Sequence, residues 1–162
     1  MYDYVIVGGG SAGCVLASRL SEDPAVRVCL LEAGPRDWHP AIHVPVGMLW
    51  LMRSKVLNWQ FHTEAEPGLV QRRLFWPRGR MLGGSSSRNA MCYTRGDAWD
   101  YDHWAELGNR GWGYEDVLPY FIRAEDQARG ASAFHGAGGP LRVEDPRSPH
   151  VWSRAAIESA VA

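Results

Sequence analysis

The sequence predicts an α/β fold, and three features near the start of the chain support that prediction. Residues 4–7 form a β-branched run that is typical of a short buried strand. A glycine-rich turn follows at residues 8–13, and residues 14–20 have the apolar pattern of a helix. A second apolar run at residues 26–31 has the length of another strand. Strand, turn, helix and strand in this order indicate one β-α-β unit.

The turn carries Gly8, Gly10 and Gly13 in the spacing G-x-G-x-x-G. In turns of this kind the first glycine permits the tight bend, the second lets a pyrophosphate approach, and the third lets helix and strand pack closely. The helix N-terminus adds free N–H groups and a partial positive charge for phosphates. Glu32 ends the second strand, where a carboxylate can accept both ribose hydroxyls. Together these features predict a dinucleotide site.

The same turn also fits a hydrolase motif. Residues 9–13 satisfy G-x-S-x-G, in which Ser11 would be a catalytic nucleophile between a strand and a helix. That motif normally follows several earlier strands, whereas here it follows the first strand of the chain. It also leaves Gly8 and Glu32 without a role, so the dinucleotide interpretation is favoured.

A second glycine-rich segment, residues 77–93, contains two adjacent glycines followed by three serines. The N–H and hydroxyl groups of such a loop can converge on an anion. Ser85 or Ser86 is expected to cap a helix that begins near Ser87. A capped turn without a ligand is an equally good interpretation of these residues alone, because Gly-Ser loops are common.

Residues 36–78 are rich in tryptophan and proline and predict one short helix at 46–53. His39 and His43 have the spacing of a metal pair. The intervening prolines and the lack of a third ligand favour structural or surface roles, so no metal site is predicted.

Beyond residue 97, the sequence predicts helices at 99–107 and 117–125, a strand at 140–144 and a further helix from residue 149. A doubly wound sheet needs more strands than these. We therefore expect a fragment of a longer protein.

Composition narrows the class of protein. The 162 residues carry a net charge of −1, which provides no general field for nucleic acid or an anionic membrane. Arginines around the second glycine-rich segment therefore favour a local phosphate or carboxylate partner. The longest apolar stretch, residues 41–52, is too short to span a bilayer. The three cysteines show no paired pattern and no signal peptide is evident, so we expect reduced thiols and a cytoplasmic location.

Together, the two glycine-rich segments resemble the glucose–methanol–choline (GMC) family of FAD-dependent oxidoreductases. The resemblance rests on residues 7–17 and 30–34, and on residues 77–87, which are similar to the family's first signature. Further matching motifs lie at residues 95–96, 101–104, 112–121 and 134–136. The resemblance covers nearly the whole chain and points to the choline dehydrogenase and alcohol dehydrogenase-like branch.

The resemblance implies an incomplete Rossmann-like FAD-binding domain at residues 1–130, including a lid and a flavin-contacting loop. The start of an α+β substrate domain would follow at residues 131–162. FAD would lie along the first motif with Glu32 on the adenosine ribose, and the second segment would lie beside the pyrophosphate and the flavin. The implied cofactor-binding residues are Gly8, Gly10, Ser11, Ala12, Gly13, Glu32, Ala33, Met81, Gly83, Gly84, Ser85, Asn89, Ala90, Met91 and Cys92.

Arg88 departs from the family pattern. The family usually carries an aliphatic residue there, and some oxidases carry a histidine that bonds covalently to the flavin. Arginine cannot form that bond, so non-covalent FAD is expected. Its side chain is expected either to clash with an apolar slot or to turn to solvent. Ala90, which replaces a frequent glycine, is a milder departure.

The implied chemistry is oxidation of a primary alcohol, in which a histidine base removes the hydroxyl proton while hydride moves to flavin N5. In the family that base lies near the C-terminus of a much longer chain. None of the six histidines here lies in that motif, so no catalytic residue is predicted in this chain. His103 and His135 are assigned structural roles.

The expected partners are a small-molecule alcohol and an electron acceptor of unknown identity, without nucleic acid or a transmembrane segment. The oligomeric state stays open. Alternatives are a hydroxynitrile lyase-like relative that keeps FAD without redox use, and a non-catalytic truncated remnant. An NAD-binding module is a weaker option, since it leaves the second glycine-rich segment without a purpose.

Overall fold

The computed structural model describes residues 1–161 of the chain. The chain divides into two compact units, residues 1–92 and residues 93–162. Both units contain helices and strands, in agreement with the predicted α/β class. The functional boundary predicted at residue 130 is a different division, and it stays a prediction.

The first unit begins with the predicted β-α-β arrangement. Strand β1 (Tyr4–Val7), helix α1 (Ser11–Leu20) and strand β2 (Val28–Leu31) follow one another, and the two strands pair in parallel. Helix α1 begins three residues earlier than expected, because the Cys14 N–H already donates to the Gly10 carbonyl at 2.9 Å. The two strands lie where the sequence predicts them, although β2 begins two residues later than expected.

A long excursion follows β2. Its elements are α2 (Pro40–His43), a 3-10 helix (Pro45–Gly47), α3 (Met48–Leu51), β3 (Phe61–His62), a second 3-10 helix (Pro67–Leu69) and β4 (Phe75–Trp76). The helix expected at residues 46–53 is thus a 3-10 turn that continues into α3. Strands β3 and β4 pair antiparallel and form a hairpin.

The base of this hairpin is fastened by Asn58, which is only 2% exposed. Its side-chain N–H donates to the Met52 carbonyl at 2.7 Å. Its side-chain oxygen accepts the backbone N–H groups of Gln60 and Arg78, both at 3.0 Å. One amide therefore joins the two ends of the hairpin to the preceding helix.

The core of the first unit is small and centres on the second glycine-rich segment. Met81 is fully buried and packs with Leu51 and Leu57, and Ala41 and Ile42 cover this cluster. The core therefore joins the helices of the excursion directly to the segment that carries Gly83 and Gly84.

The expectation that Ser85 or Ser86 caps a helix beginning near Ser87 is wrong. All three serines lie inside a short 3-10 helix, Gly84–Ser87, which Gly83 precedes. The Ser86 hydroxyl donates back to the Gly83 carbonyl at 2.6 Å instead of accepting a helix N–H.

The second unit contains α4 (Ala98–Glu106), α5 (Tyr114–Ala124), β5 (Glu125–Gln127), β6 (Leu141–Val143) and α6 (Val151–Val161). Helix α4 starts with a capping box in which Asp97 accepts from Trp99 and Asp100 accepts from Asp97. Helix α5 begins three residues before its predicted start, and the strand β5, which pairs in parallel with β6, was not predicted.

Within residues 1–161, none of the helices combines the length and apolar character that crossing a bilayer requires.

Candidate functional site

The turn after β1 has the conformation that its glycines predict. Gly8 has a φ of +100°, a region that favours glycine, and its N–H donates to the Leu31 carbonyl at 2.7 Å. A Cβ at Gly13 would overlap the Gly8 carbonyl oxygen. The tight bend at Gly8 and the close helix–strand packing at Gly13 are therefore confirmed.

The side-chain position of Gly10 is open, and its backbone has an ordinary negative φ. No heavy atom lies within 4 Å of where its Cβ would be. The first turn of α1 begins at Ser11, so the N–H groups of Ser11, Ala12 and Gly13 have no carbonyl partner inside the helix. This arrangement leaves room and hydrogen-bond donors for an anionic group.

The second glycine-rich segment closes directly onto this turn. The Gly83 N–H donates to the Gly9 carbonyl at 2.7 Å, and Gly10 and Gly83 pair in a parallel bridge. A Cβ at Gly84 would lie 2.9 Å from the Gly10 Cα. Two segments that are far apart in sequence thus meet backbone to backbone at Gly10.

Two further glycines permit close backbone packing around this meeting point, and neither was assigned a role from the sequence. A Cβ at Gly34 would overlap the Arg80 backbone, and one at Gly79 would overlap the Gly84 carbonyl. The Gly79 N–H also donates to the Ser85 hydroxyl at 3.1 Å. The signal available in the sequence was the position of both glycines inside the two motifs.

The Glu32 carboxylate ties the turn after β1 to the residues that follow β2. One oxygen accepts the Gly9 N–H at 2.7 Å, and the other accepts the Gly34 N–H at 2.8 Å. A carboxylate has about four lone-pair sites, so each oxygen keeps capacity for a further donor. Glu32 is therefore both a structural tie and a remaining acceptor.

These residues border a cavity of about 610 Å³, a volume within the usual range for small-molecule sites. Its wall includes six of the predicted site residues, Gly8, Gly10, Glu32, Ala33, Gly84 and Ser85. Arg78, one of the arginines for which a phosphate or carboxylate partner was expected, also lines the cavity. Trp59 and Phe61 line it as well and were not predicted from the sequence. The two aromatic rings stack with their centroids 5.7 Å apart and form an apolar wall.

Other predicted site residues lie elsewhere in the first unit. Met81 is fully buried in the core. Asn89 and Met91 border a separate hollow of about 40 Å³, and the Asn89 side chain accepts the Met91 N–H at 2.8 Å. Ala90 and Cys92 are exposed. The structure thus brings the first-loop residues and Gly84–Ser85 together, but not the segment after residue 88.

Arg88 borders the same small hollow and is only 8% exposed. Both outcomes expected from the sequence, a clash with an apolar slot or a turn to solvent, are wrong. The side chain is instead buried beside the 3-10 helix. Its Nε atom is buried without a hydrogen-bond partner among the described residues. Burial, and then the positive charge of Arg78, lower the pKa of the Arg88 guanidinium.

The two histidines of the possible metal pair serve local structure. The His39 ring accepts the Ala41 N–H at 3.1 Å and stacks on Trp50 with the centroids 4.6 Å apart. The His43 ring contacts the Asp37 carbonyl at 2.7 Å. No group of three metal-ligating side chains occurs in the part of the chain that the structure describes.

The second unit is organised around Glu125, whose side chain is fully buried. Its carboxylate accepts from Arg95 at 2.6 Å and from the Gly136 N–H at 3.1 Å, and it contacts the His135 ring at 3.0 Å. Burial acts to raise the pKa of this carboxyl, but the hydrogen bonds from His135 and Gly136 and the charge of Arg95 outweigh it. The pKa of Glu125 therefore lies below its usual range. His135 is thus part of a structural network.

The comparisons with known proteins agree with this geometry. The family model described as GMC oxidoreductase matches residues 2–162. The chain is 50% identical over 162 residues to an alcohol dehydrogenase [acceptor] of Pseudomonas putida, covering 99% of this chain and 29% of that protein. It is 50% identical over 167 residues to the mitochondrial choline dehydrogenase of Homo sapiens, covering 98% of this chain and 28% of that protein.

The chain is also similar to solved structures of oxidoreductases. The chain superposes on pyridoxine 4-oxidase from Mesorbium loti with a TM-score of 0.90 and 43% identity, covering 99% of this chain and 32% of that one. It superposes on an FAD-dependent oxidoreductase from Chaetomium thermophilum with a TM-score of 0.81 and 32% identity, covering 99% and 29%. The chain spans less than a third of the length of each of these relatives. Because the family model matches almost every residue, the chain belongs to the GMC oxidoreductase family.

Proposed function

We propose that this chain is the FAD-binding portion of a flavin-dependent oxidoreductase that acts on CH–OH groups, with a primary alcohol or a choline-type substrate. The observation that carries this proposal is the meeting of two glycine-rich segments at Gly10 beside a cavity that Glu32 borders. Relatives that act on alcohols, choline and pyridoxine support the substrate class.

The proposed architecture is an incomplete Rossmann-like domain. The parallel pairing of β1 with β2 across α1, and the glycine turn between β1 and α1, support it. In this proposal residues 1–130 belong to the FAD-binding domain and residues 131–162 begin the substrate domain.

FAD fits the residues that are present. The open side of Gly10 gives the pyrophosphate access to the backbone, and the free N–H groups of Ser11, Ala12 and Gly13 supply donors. The unused lone pairs of Glu32 suit the ribose hydroxyls. Further proposed contacts are Ala33, Met81, Gly83, Gly84, Ser85, Asn89, Ala90, Met91 and Cys92.

The bound flavin would supply a hydride acceptor, which protein side chains cannot provide. The residues of this chain bind and orient it. Trp59 and Phe61 form an apolar part of the cavity wall, and Arg78 adds a positive charge to its lining. We assign no catalytic base to this chain, since none of its six histidines lies in the family motif that carries the base.

FAD is proposed to be held without a covalent bond, because arginine occupies position 88. The deciding experiment is the absorption spectrum of the purified protein before and after acid precipitation. Yellow protein that releases its flavin to the supernatant supports the proposal. Colourless protein that cannot be reconstituted with FAD contradicts it, and flavin retained in the pellet contradicts the non-covalent mode.

A cytoplasmic location is also proposed. It is supported by Cys14, Cys29 and Cys92, which are all free thiols in the structure.

A further inference from the structure

The first unit contains a second large cavity, separate from the cavity that Glu32 borders. Its volume is about 690 Å³, which is within the usual range for small-molecule sites. Its walls come from two stretches of chain, within residues 35–39 and 50–57. None of its lining residues also lines the Glu32 cavity. A ligand in this second cavity would therefore contact residues that the proposed FAD site does not use.

Aromatic rings form one part of the second cavity. The His39 ring stacks on Trp50 with the centroids 4.6 Å apart and the ring planes within 12° of parallel. The guanidinium carbon of Arg36 lies 5.1 Å from the centroid of the Trp38 ring. Trp38 and Trp50 are 74% and 52% exposed, so a large part of each indole is available for contact. The cavity therefore offers flat apolar surfaces to a ring.

Positive charge forms the other part. Three basic side chains line the cavity, namely Arg36, Arg53 and Lys55. None of the three forms an ion pair with a carboxylate within residues 1–161. No acidic side chain among the described residues lines the cavity, and Asp37, the nearest one in sequence, lies outside the lining. The charge of the cavity is thus positive and not compensated from within.

The uncharged polar side chains of the cavity are donors as well. His39 Nδ1 accepts the Ala41 N–H at 3.1 Å, so the neutral ring carries its proton on Nε2. The Ser54 hydroxyl oxygen accepts the backbone N–H groups of Val56 and Leu57 at 3.3 Å and 3.1 Å. Its own proton is available to a further acceptor. Charged and uncharged side chains therefore favour a ligand that accepts hydrogen bonds.

We propose that this second cavity binds a small aromatic carboxylate. The ring packs against the exposed indoles of Trp38 and Trp50, and the carboxylate accepts from the basic side chains. Carboxylate oxygens only accept, and they form charge-assisted hydrogen bonds with guanidinium groups. A nucleotide is a poorer match, because this cavity has no carboxylate to accept ribose hydroxyls, whereas the other cavity has Glu32. The inference does not depend on FAD binding.

The test measures the binding of naphthoate and of uncharged naphthamide to the purified protein by isothermal titration calorimetry. Both probes carry the same ring, so the difference between their affinities reports on the carboxylate. We expect naphthoate to bind about tenfold more tightly, and Arg53→Gln to remove most of that difference without changing the affinity for naphthamide. The exposed Arg110→Gln removes the same charge in the second unit and is the matched control.

A second pair of variants tests the aromatic part. Trp38→Ala is expected to weaken naphthoate and naphthamide alike, by about tenfold, because both probes use the ring contact. Trp152→Ala removes an indole of similar exposure, 76% against 74%, and serves as its control. Urea midpoints equal to that of the wild type confirm that each variant is folded. If Arg53→Gln does not fold, Lys55→Gln tests the same loss of charge.

Saturating FAD distinguishes the two cavities. The affinity for naphthoate is expected to be the same with and without FAD, since the cavities share no lining residue. Displacement of naphthoate by FAD overturns the inference. Equal effects of Arg53→Gln and Arg110→Gln also overturn it, as does the absence of naphthoate binding at millimolar concentration. A protein that binds naphthoate in this way but cannot bind FAD contradicts the proposed function alone.

Discussion

Each of the two units buries one charged side chain among the described residues, and the two side chains differ in whether they have hydrogen-bond partners. Glu125 in the second unit is surrounded by donors from Arg95, His135 and Gly136. Arg88 in the first unit has a buried Nε without a partner and no acidic neighbour in its hollow. Removing one partner of a buried charge that is paired within the fold is strongly destabilising, whereas a buried charge without a partner is itself unfavourable. The comparison therefore separates a buried charge that the fold satisfies from one whose Nε has no partner among the described residues.

The largest expected effect comes from breaking the paired centre. Glu125→Ala leaves the Arg95 guanidinium nearly buried without its acceptor, at a cost of about 3 kcal/mol in the free energy of unfolding. Urea denaturation followed by tryptophan fluorescence measures this cost. The exposed Glu115→Ala is the control and is expected to change the free energy by less than about 0.5 kcal/mol. Equal effects of the two variants would show that Glu125 is not a structural centre.

The next effect concerns the ligand rather than the fold. Gly10→Val adds a side chain where the protein leaves open space, so stability is expected to change little while FAD affinity falls about a hundredfold, or about 2.8 kcal/mol. Fluorescence quenching of FAD during titration measures the affinity. Gly68→Val, at another open position with an ordinary φ, is the matched control. FAD binding by Gly10→Val at wild-type strength would place the cofactor elsewhere.

A change at Glu32 is expected to lower both the free energy of unfolding and the affinity for FAD, each by a smaller amount. Glu32→Gln keeps the shape but can no longer accept both the Gly9 and Gly34 N–H groups with a charged carboxylate. Unfolding free energy is expected to fall by about 1 kcal/mol and FAD affinity by about tenfold. Calorimetry with and without FAD separates the two. A loss of stability with unchanged affinity would restrict Glu32 to the structural tie.

The smallest effect is a dependence of stability on pH. The pKa of Glu125 lies below its ordinary value of 4.5, so the folded state binds this proton more weakly than the unfolded state does. Its contribution is complete above that ordinary value and is lost as the pH falls through the lower folded pKa. Urea midpoints between pH 6 and pH 3 measure the loss. A Glu125→Gln protein with the same pH dependence as the wild type would assign the effect to other carboxyl groups.

The roles of Gly8 and Gly13 could be predicted from the sequence because each acts within one short motif. That of Gly34 could not, since the backbone that it touches, at Arg80, belongs to a different segment. Glu125 illustrates the same limit. It lies at the end of a helical pattern and was placed in a helix, but it begins β5, whose partner strand is distant in sequence.

The large cavity was predictable only in part for a similar reason. Its glycine wall follows from motifs, whereas Trp59 and Phe61 come from a region with no clear periodicity. The burial of Arg88 depends on how α2 and α3 pack against the second glycine-rich segment, and no local pattern contains that information.

The hydrogen bonds of the Asn58 side chain affect which parts of the β3–β4 hairpin can vary in length. Because this amide fixes the base of the β3–β4 hairpin, the cavity walls at Trp59 and Phe61 are held independently of the turn at residues 64–73. Extra residues at that turn would add mainly loop-closure entropy, about 0.6 kcal/mol for each doubling in length. The hairpin tip is thus a position where an insertion, an affinity tag or a fluorescent label can be accommodated while the cavity wall is preserved.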